Sequence, residues 1–236
     1  QPWLDCARSY GLSEQFVGEY LRSHSISPDS VYVSSKWGYT YVANFQVALP
    51  NPTDKHEIKD HSLSNFFKQL EETKQHLGEY IKLYQVHSAT FDSGILTNTE
   101  VHRALHQCRL DYGWKIGLSV SGPHQDDIIR TAMKIQVPLG DDIEKKQSTT
   151  IGDNPNEGDD DLLHKAQLFD SVQCTFNVLE QRPGDALLEA YQSGMDIIVK
   201  EGLANGRVFQ RSSAVHSILT KYCRQLNCTI DQLALG

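Results

Sequence analysis

Six polar residues stand at or just beyond the ends of six short apolar runs: Asp5, Lys36, His87, Ser121, Asn177 and Lys200. In parallel α/β architectures, sites form where strands end and the following loops begin. A carboxylate, two amines and an imidazole gathered at one such rim could hold charge and move protons. Each of them alone is what a solvated strand cap looks like, so the case for a site rests on their occurring together. Other polar pairs carry less. His102 and His106 are spaced i, i+4, but no H-E-x-x-H motif or third ligand accompanies them, and no metal is expected there.

The elements that would position these residues alternate along the chain. Strands are expected at Pro2–Asp5, Val31–Lys36, Tyr80–His87, Trp114–Val120, Ser171–Asn177 and Asp196–Lys200, where β-branched and aromatic residues cluster. Amphipathic helices lie between them. Phe16, Val17, Tyr20 and Leu21 share one helical face, and Leu63, Phe66, Phe67, Leu70 and Leu77 another. Thr97-Asn98-Thr99-Glu100 reads as a capping box that opens a helix with Val101, Ala104, Leu105 and Cys108 inward. Ile128, Ile129, Ala132 and Ile135 define the next apolar face, Pro183 opens a further helix and Gly194 follows its end. The last helix is expected to bury Val215, Ile218, Leu219, Tyr222 and Leu226. Six strands, each followed by a helix, imply a parallel sheet with right-handed crossovers, closed as a (β/α)8 barrel or open and doubly wound.

The 236 residues are 39% hydrophobic and 22% charged, enough for one sizeable core and too polar anywhere for the roughly 20 apolar residues of a membrane span. The formal charge of −8 is unevenly placed. Eight acids against Lys145 and Lys146 give residues 141–161 a net charge of −6, leaving −2 for the rest. Such a body lacks the basic footprint of a nucleic-acid binder. Residues 138–161, rich in Gly, Asp, Asn, Ser and Thr, are expected to be a solvated insertion within one domain spanning 1–236. The five cysteines are scattered without a C-x-x-C pair, which suits a reducing, cytoplasmic setting. No signal peptide is read at the start, which opens on Gln1.

The local text around the strand-end residues resembles one family. Leu4-Asp5-Cys6-Ala7-Arg8-Ser9-Tyr10-Gly11, followed by Ser13-Glu14 and Gly18-Glu19, is similar to the D-T-A-x-x-Y-G-x-S-E-x-x-G segment of the aldo-keto reductases. Val31–Gly38 (VYVSSKWG) resembles the strand that ends in that family's active-site lysine, and Tyr80–Ser88 (YIKLYQVHS) the strand that ends in its histidine. Ile116–Gly122, Leu168–Glu180 and Ile197–Gly206 continue the match in order, most like the branch of L-galactose and D-threo-aldose dehydrogenases.

The resemblance implies a (β/α)8 TIM barrel and an oxidoreductase that interconverts a carbonyl and an alcohol, on a sugar or polyhydroxylated aldehyde, with NADP or NAD as cofactor. It implies catalytic roles for Asp5, Tyr10, Lys36 and His87. Tyr10 would exchange the proton, with Lys36 drawing its pKa downward, Asp5 holding Lys36, and His87 orienting the carbonyl. Ser121 and Gln173 would hold the nicotinamide carboxamide, Lys200 would stand where many members stack an aromatic ring, and the Leu203-Ala204-Asn205-Gly206 loop would approach the pyrophosphate. Trp37 is expected to line the substrate pocket. About six of the eight βα units are present, so the barrel is expected to be incomplete. The alternative reading is a catalytically silent barrel that acts as a binding or regulatory protein.

Overall fold

The computed structural model describes residues 1–44, 46, 48–51, 53–138 and 165–236. Its frame is a six-stranded, all-parallel sheet. The strands run in chain order as β1 (Trp3–Asp5), β2 (Tyr32–Trp37), an antiparallel pair β3 (Tyr39–Tyr41) and β4 (Glu57–Lys59), β5 (Ile81–Ala89) and β6 (Lys115–Val120). A second antiparallel pair, β7 (Gln136–Pro138) and β8 (Lys165–Gln167), precedes β9 (Ser171–Thr175) and β10 (Asp196–Lys200). In space the large sheet is ordered β1-β2-β5-β6-β9-β10, so each strand pairs with the next one after its crossover. The crossover helices are α1 (Ser13–Ser23), α2 (Leu63–Leu77), α3 (Thr99–Tyr112), α4 (Gln125–Ala132) and α5 (Gly184–Gln192), and α6 (Ala214–Leu226) and α7 (Ile230–Leu235) follow β10. This is an incomplete (β/α)8 barrel. Among the described residues β1 and β10 each pair on one side only.

The register separates two faces. Val33, Tyr84, Val86, Ile116, Leu118, Val120, Val172 and Cys174 are all buried in the main core, against Phe66 and Leu70 of α2, Val101 and Leu105 of α3, Ile128 and Ile129 of α4, and Ala186 and Ala190 of α5. The alternate positions carry Ser34 and Lys36, Gln85 and His87, Ser119 and Ser121, and Ser171 and Gln173. Because side chains alternate across a strand, these polar residues share the concave face. Gly117 belongs there too. A Cβ at that position would fall 2.4 Å from Ser171 Oγ and 3.1 Å from Gln85 Cγ, so only glycine lets β5 and β9 side chains fill the space above β6.

Three helix faces differ from their expected orientation. In α1, Phe16 and Tyr20 are exposed, and the buried positions are Glu14, Gly18 and Leu21. The helix lies so close to the end of α2 that a Cβ on Gly18 would meet the His76 carbonyl oxygen at 2.0 Å, and this contact fixes which side faces inward. In α2, Phe67 is exposed while Asn65, Gln69 and Thr73 turn inward to make hydrogen bonds. In α6, Ile218, Tyr222 and Leu226 are exposed and Leu219 and Cys223 are buried, since the helix packs on the small cluster of Ala204 and Val208 rather than on the main core. The start of α3 is also simpler than a capping box: the Asn98 side chain accepts the Val101 N–H and the helix begins at Thr99. The β3–β4 and β7–β8 pairs were not legible as strands. The acidic segment 138–161 lies outside the described residues except for Pro138.

Candidate active site

The concave face converges on the Asp5 carboxylate at the end of β1. Lys36 Nζ donates to Asp5 Oδ2 at 2.6 Å and to the Cys6 carbonyl at 3.0 Å. Ser34 Oγ donates to Asp5 Oδ1 at 2.6 Å, Gln85 Nε2 reaches the same oxygen at 3.5 Å, and Gln173 Nε2 donates to Oδ2 at 3.0 Å. Four strands, β1, β2, β5 and β9, thus meet at one carboxylate. Lys36 is fully buried. Burial lowers its pKa and the adjoining Asp5 opposes that shift, the expected balance for an ammonium removed from water but given an anionic partner.

The loop after β1 is held along β2 by two further backbone bonds, Cys6 N–H to the Ser34 carbonyl and Arg8 N–H to the Lys36 carbonyl. It then reverses: the Tyr10 N–H donates to the Ala7 carbonyl, and Gly11 takes a φ of +61°, which glycine adopts without a steric cost. This turn returns Tyr10 to Lys36, whose Nζ lies 4.9 Å from the ring centroid. The Tyr10 and His87 rings meet edge to face with centroids 5.6 Å apart, and Tyr39 approaches His87 at 5.0 Å. Ser9 Oγ is 3.4 Å from His87 Nδ1. Asp5, Tyr10, Lys36 and His87 therefore occupy one constellation.

Its electrostatics differ from the expected arrangement at Tyr10. Burial, followed by the Asp5 charge, raises the Tyr10 pKa. The Lys36 ammonium is committed to Asp5 and to the Cys6 carbonyl and faces the ring, so it does not lower the phenol's pKa in this geometry. His87 is pushed down to about 3 by burial, with Lys36 and Lys200 adding to the shift. It is a neutral imidazole at physiological pH, able to donate one hydrogen bond without carrying charge.

A second network braces this one from behind. Glu14, buried in the first turn of α1, accepts from Arg8, from Ser35 Oγ and from Thr73 Oγ1, the last at 2.9 Å. Arg8 also donates to Glu72 of α2 at 2.7 Å. The Ser13-Glu14 piece of the sequence thus ties the Tyr10 loop, the residue beside Lys36 and α2 together.

The remaining candidates are distributed around the same rim. Gln173 gives its amide N–H to Asp5, which leaves its carbonyl oxygen as the atom free to receive a carboxamide. Ser121 is half-buried just beyond β6. Lys200 ends β10, and burial lowers its pKa. In the following loop Ala204, Asn205 and Gly206 have φ of +51°, +53° and +81°, a left-handed run in which the Ala204 N–H donates to the Glu201 carbonyl and the Gly206 N–H to the Leu203 carbonyl. Trp37 is placed elsewhere: it is fully buried in the core, edge-on to His61 and Phe66, and does not reach the open rim. The alternation that puts Lys36 on the concave face puts Trp37 on the helical face. Ser34, Gln85, Ser9, Tyr39 and Glu14 were not singled out from sequence. For the first two a signal existed, polar residues at i−2 from Lys36 and His87 inside buried strands.

The Aldo/keto reductase family matches residues 1–115, which contain Asp5, Tyr10, Lys36 and His87. No curated protein matches the chain. Among solved structures, the chain is similar to an aldo-keto reductase from Bacillus halodurans in its holo form, with a TM-score of 0.64 and 19% identity over 99% of this chain and 66% of that one. The glycerol dehydrogenase of Gluconobacter oxydans gives 0.62 and 18% over 98% and 66%. An aldo/keto reductase from Klebsiella pneumoniae in complex with NADP and acetate gives 0.58 and 15% over 98% and 64%. The chain spans just under two thirds of the length of these aldo-keto reductases, and the likeness extends the shared barrel fold past residue 115.

Proposed function

We propose that the protein is an NADP(H)-dependent oxidoreductase interconverting a carbonyl and an alcohol, with NAD(H) as the other nicotinamide cofactor to be compared. The observation that carries this reading is the convergence of Asp5, Lys36, Tyr10 and His87 at the carboxyl ends of β1, β2 and β5. The residues present fit such a cofactor. Gln173 has an acceptor to spare, Ser121 follows the end of the neighbouring strand β6, Lys200 offers a cation at the rim, and the turn after Leu203, left-handed at Asn205 and Gly206, is where a phosphate would approach. When bound, the nicotinamide supplies or accepts the hydride.

The chain's own residues then handle the proton. Tyr10 donates its phenolic proton to the developing alkoxide, and accepts it back in the oxidative direction. Lys36 places positive charge against the Tyr10 ring and holds it over the site. Asp5 keeps Lys36 ionised in a buried position. Neutral His87 donates a hydrogen bond to the carbonyl oxygen.

For the substrate we infer a sugar or other polyhydroxylated aldehyde, as in the sugar-dehydrogenase-like branch. An open cavity of about 670 Å³, lined by polar groups including Lys59, Asp60, His61, Ser62, Thr90 and Asn98 but by none of the four catalytic candidates, opens beside the end of β5. Its His61 is 3.0 Å from the His87 backbone carbonyl, so the cavity neighbours the strand that carries His87. Hydroxyl-rich ligands suit such a wall better than apolar ones do. A reducing, cytoplasmic setting fits the unpaired cysteines. The test is nicotinamide absorbance with the 236-residue chain, each cofactor, and a panel of aldoses, polyols and aromatic aldehydes. Turnover confined to aldoses or polyols supports the reading, turnover of aromatic aldehydes alone removes the sugar assignment, and no turnover with any of them removes the oxidoreductase.

A further inference from the structure

The end of α6 brings two cysteines together by backbone geometry alone. Asn227 is left-handed, with φ of +52° and ψ of +48°, and the Cys228 N–H donates back to the Cys223 carbonyl at 3.1 Å. A 6→1 bond of this kind places the side chain after the left-handed residue against the one five positions earlier. Usually two apolar groups meet there. Here both are thiols, and both line the same cavity. Neither belongs to the constellation around Asp5.

We propose that Cys223 and Cys228 form a redox-active dithiol that closes reversibly into a disulfide. Their backbones are already paired across a single hydrogen bond, so closure needs side-chain rotation and little chain movement, which is the geometric condition a disulfide must meet. The two sulfurs differ in access. Cys223 is buried and Cys228 half-buried, and both border a shallow cavity of about 390 Å³ that also exposes Arg224 and Asn227. The guanidinium of Arg224 in that cavity suits the carboxylates of an anionic oxidant. Cys228, the more accessible of the two, is the attacking sulfur and Cys223 the resolving one.

The oxidant of matching chemistry is a low-molecular-weight disulfide such as oxidised glutathione. The Cys228 thiolate attacks one of its sulfurs, the S–S bond breaks, and one glutathione thiolate leaves. The Cys223 thiolate then attacks the Cys228 sulfur of the mixed disulfide, forming the Cys223–Cys228 bond and releasing the second glutathione. Two protein thiols are oxidised, one disulfide is reduced, and the two thiol protons end on the two glutathiones. The closed ring would tie the end of α6 to the start of α7, whose Leu235 lies 2.8 Å from where a Cβ on Gly202 would stand, beside the left-handed loop after β10.

The experiment equilibrates the 236-residue chain with oxidised glutathione, alkylates the remaining thiols and digests with trypsin, which cuts after Lys221 and Arg224 and so separates the two cysteines. The expected product is Tyr222–Arg224 linked to the peptide that begins at Gln225, lost on treatment with dithiothreitol. C223S should stop at a glutathione adduct on Cys228, and C228S should leave Cys223 free to alkylate. Three outcomes overturn the proposal: separate alkylation of both cysteines after oxidation, a stable glutathione adduct in the unsubstituted chain, or linkage of Cys228 to any other cysteine.

Discussion

The Lys36 ammonium lies 4.9 Å from the centroid of the Tyr10 ring while it donates to Asp5 at 2.6 Å. One buried cation therefore faces an aromatic ring and a carboxylate at once. The carboxylate compensates its charge and the ring receives the remainder as a cation–π contact, worth on the order of 1 kcal/mol or more where water is excluded.

Tyr10→Phe keeps that ring and removes only the hydroxyl. Turnover should fall by roughly 10²-fold or more, the usual scale of losing a positioned proton donor, with cofactor affinity little changed. Steady-state kinetics beside a cofactor titration checks this. Unaltered turnover would remove Tyr10 from the proposed mechanism.

The two halves of the ion pair are unequal. Lys36 is fully buried, whereas about a third of the Asp5 side chain is exposed. Asp5→Asn leaves a buried ammonium without its anion and should cost about 3 kcal/mol or more. Lys36→Met leaves a carboxylate that still has Ser34, Gln173 and water, and should cost less. Urea denaturation of both variants gives the comparison, and a larger loss for Lys36→Met would contradict this ordering.

Glu14→Gln should destabilise by about 2–3 kcal/mol, because it deprives the part-buried Arg8 of its closest anion and disturbs acceptors used by Ser35 and Thr73. Thermal denaturation reads this directly. A change of a few tenths would mean that Glu72 alone satisfies Arg8.

Stability should fall as the solution is acidified from about pH 6.5 to pH 4. His87 is depressed to about 3 and His61 to about 4, in both cases chiefly by burial. Between those values and the ordinary histidine pKa the unfolded chain binds protons that the folded chain does not. The stabilisation is therefore complete above pH 6.5 and is lost as pH falls, with a slope approaching ~1.4 kcal/mol per pH unit for each such proton. Denaturation midpoints across this range should flatten in a His61→Gln variant, and an unchanged slope would count against the buried-neutral reading.

Gly18→Ala tests the seat of α1. A methyl group there would stand 2.0 Å from the His76 carbonyl oxygen, so α1 and α2 must separate, at a cost of about 1–3 kcal/mol despite alanine's better helix propensity. A stabilised variant would show that the helices yield freely.

Much of this was written in the chain. The alternation of strand and helix, the six parallel strands and the placement of Asp5, Lys36, His87 and Lys200 at strand ends follow from local runs of residues, and local text also drew attention to Tyr10. What sequence could not supply is which side of each element faces inward. Phe16, Tyr20, Ile218 and Tyr222 are apolar at helical spacing yet exposed, because α1 is seated by Gly18 and α6 packs on Ala204 and Val208 rather than on the main core. Trp37 follows Lys36 directly and so points the opposite way, into the core. The gathering of Ser34, Gln85 and Gln173 on Asp5 joins residues up to 168 positions apart, and only the parallel register of the strands brings them to one carboxylate. Residue type and spacing set the elements and their ends, whereas register and close packing chose the faces, since those depend on contacts between segments that no local pattern records.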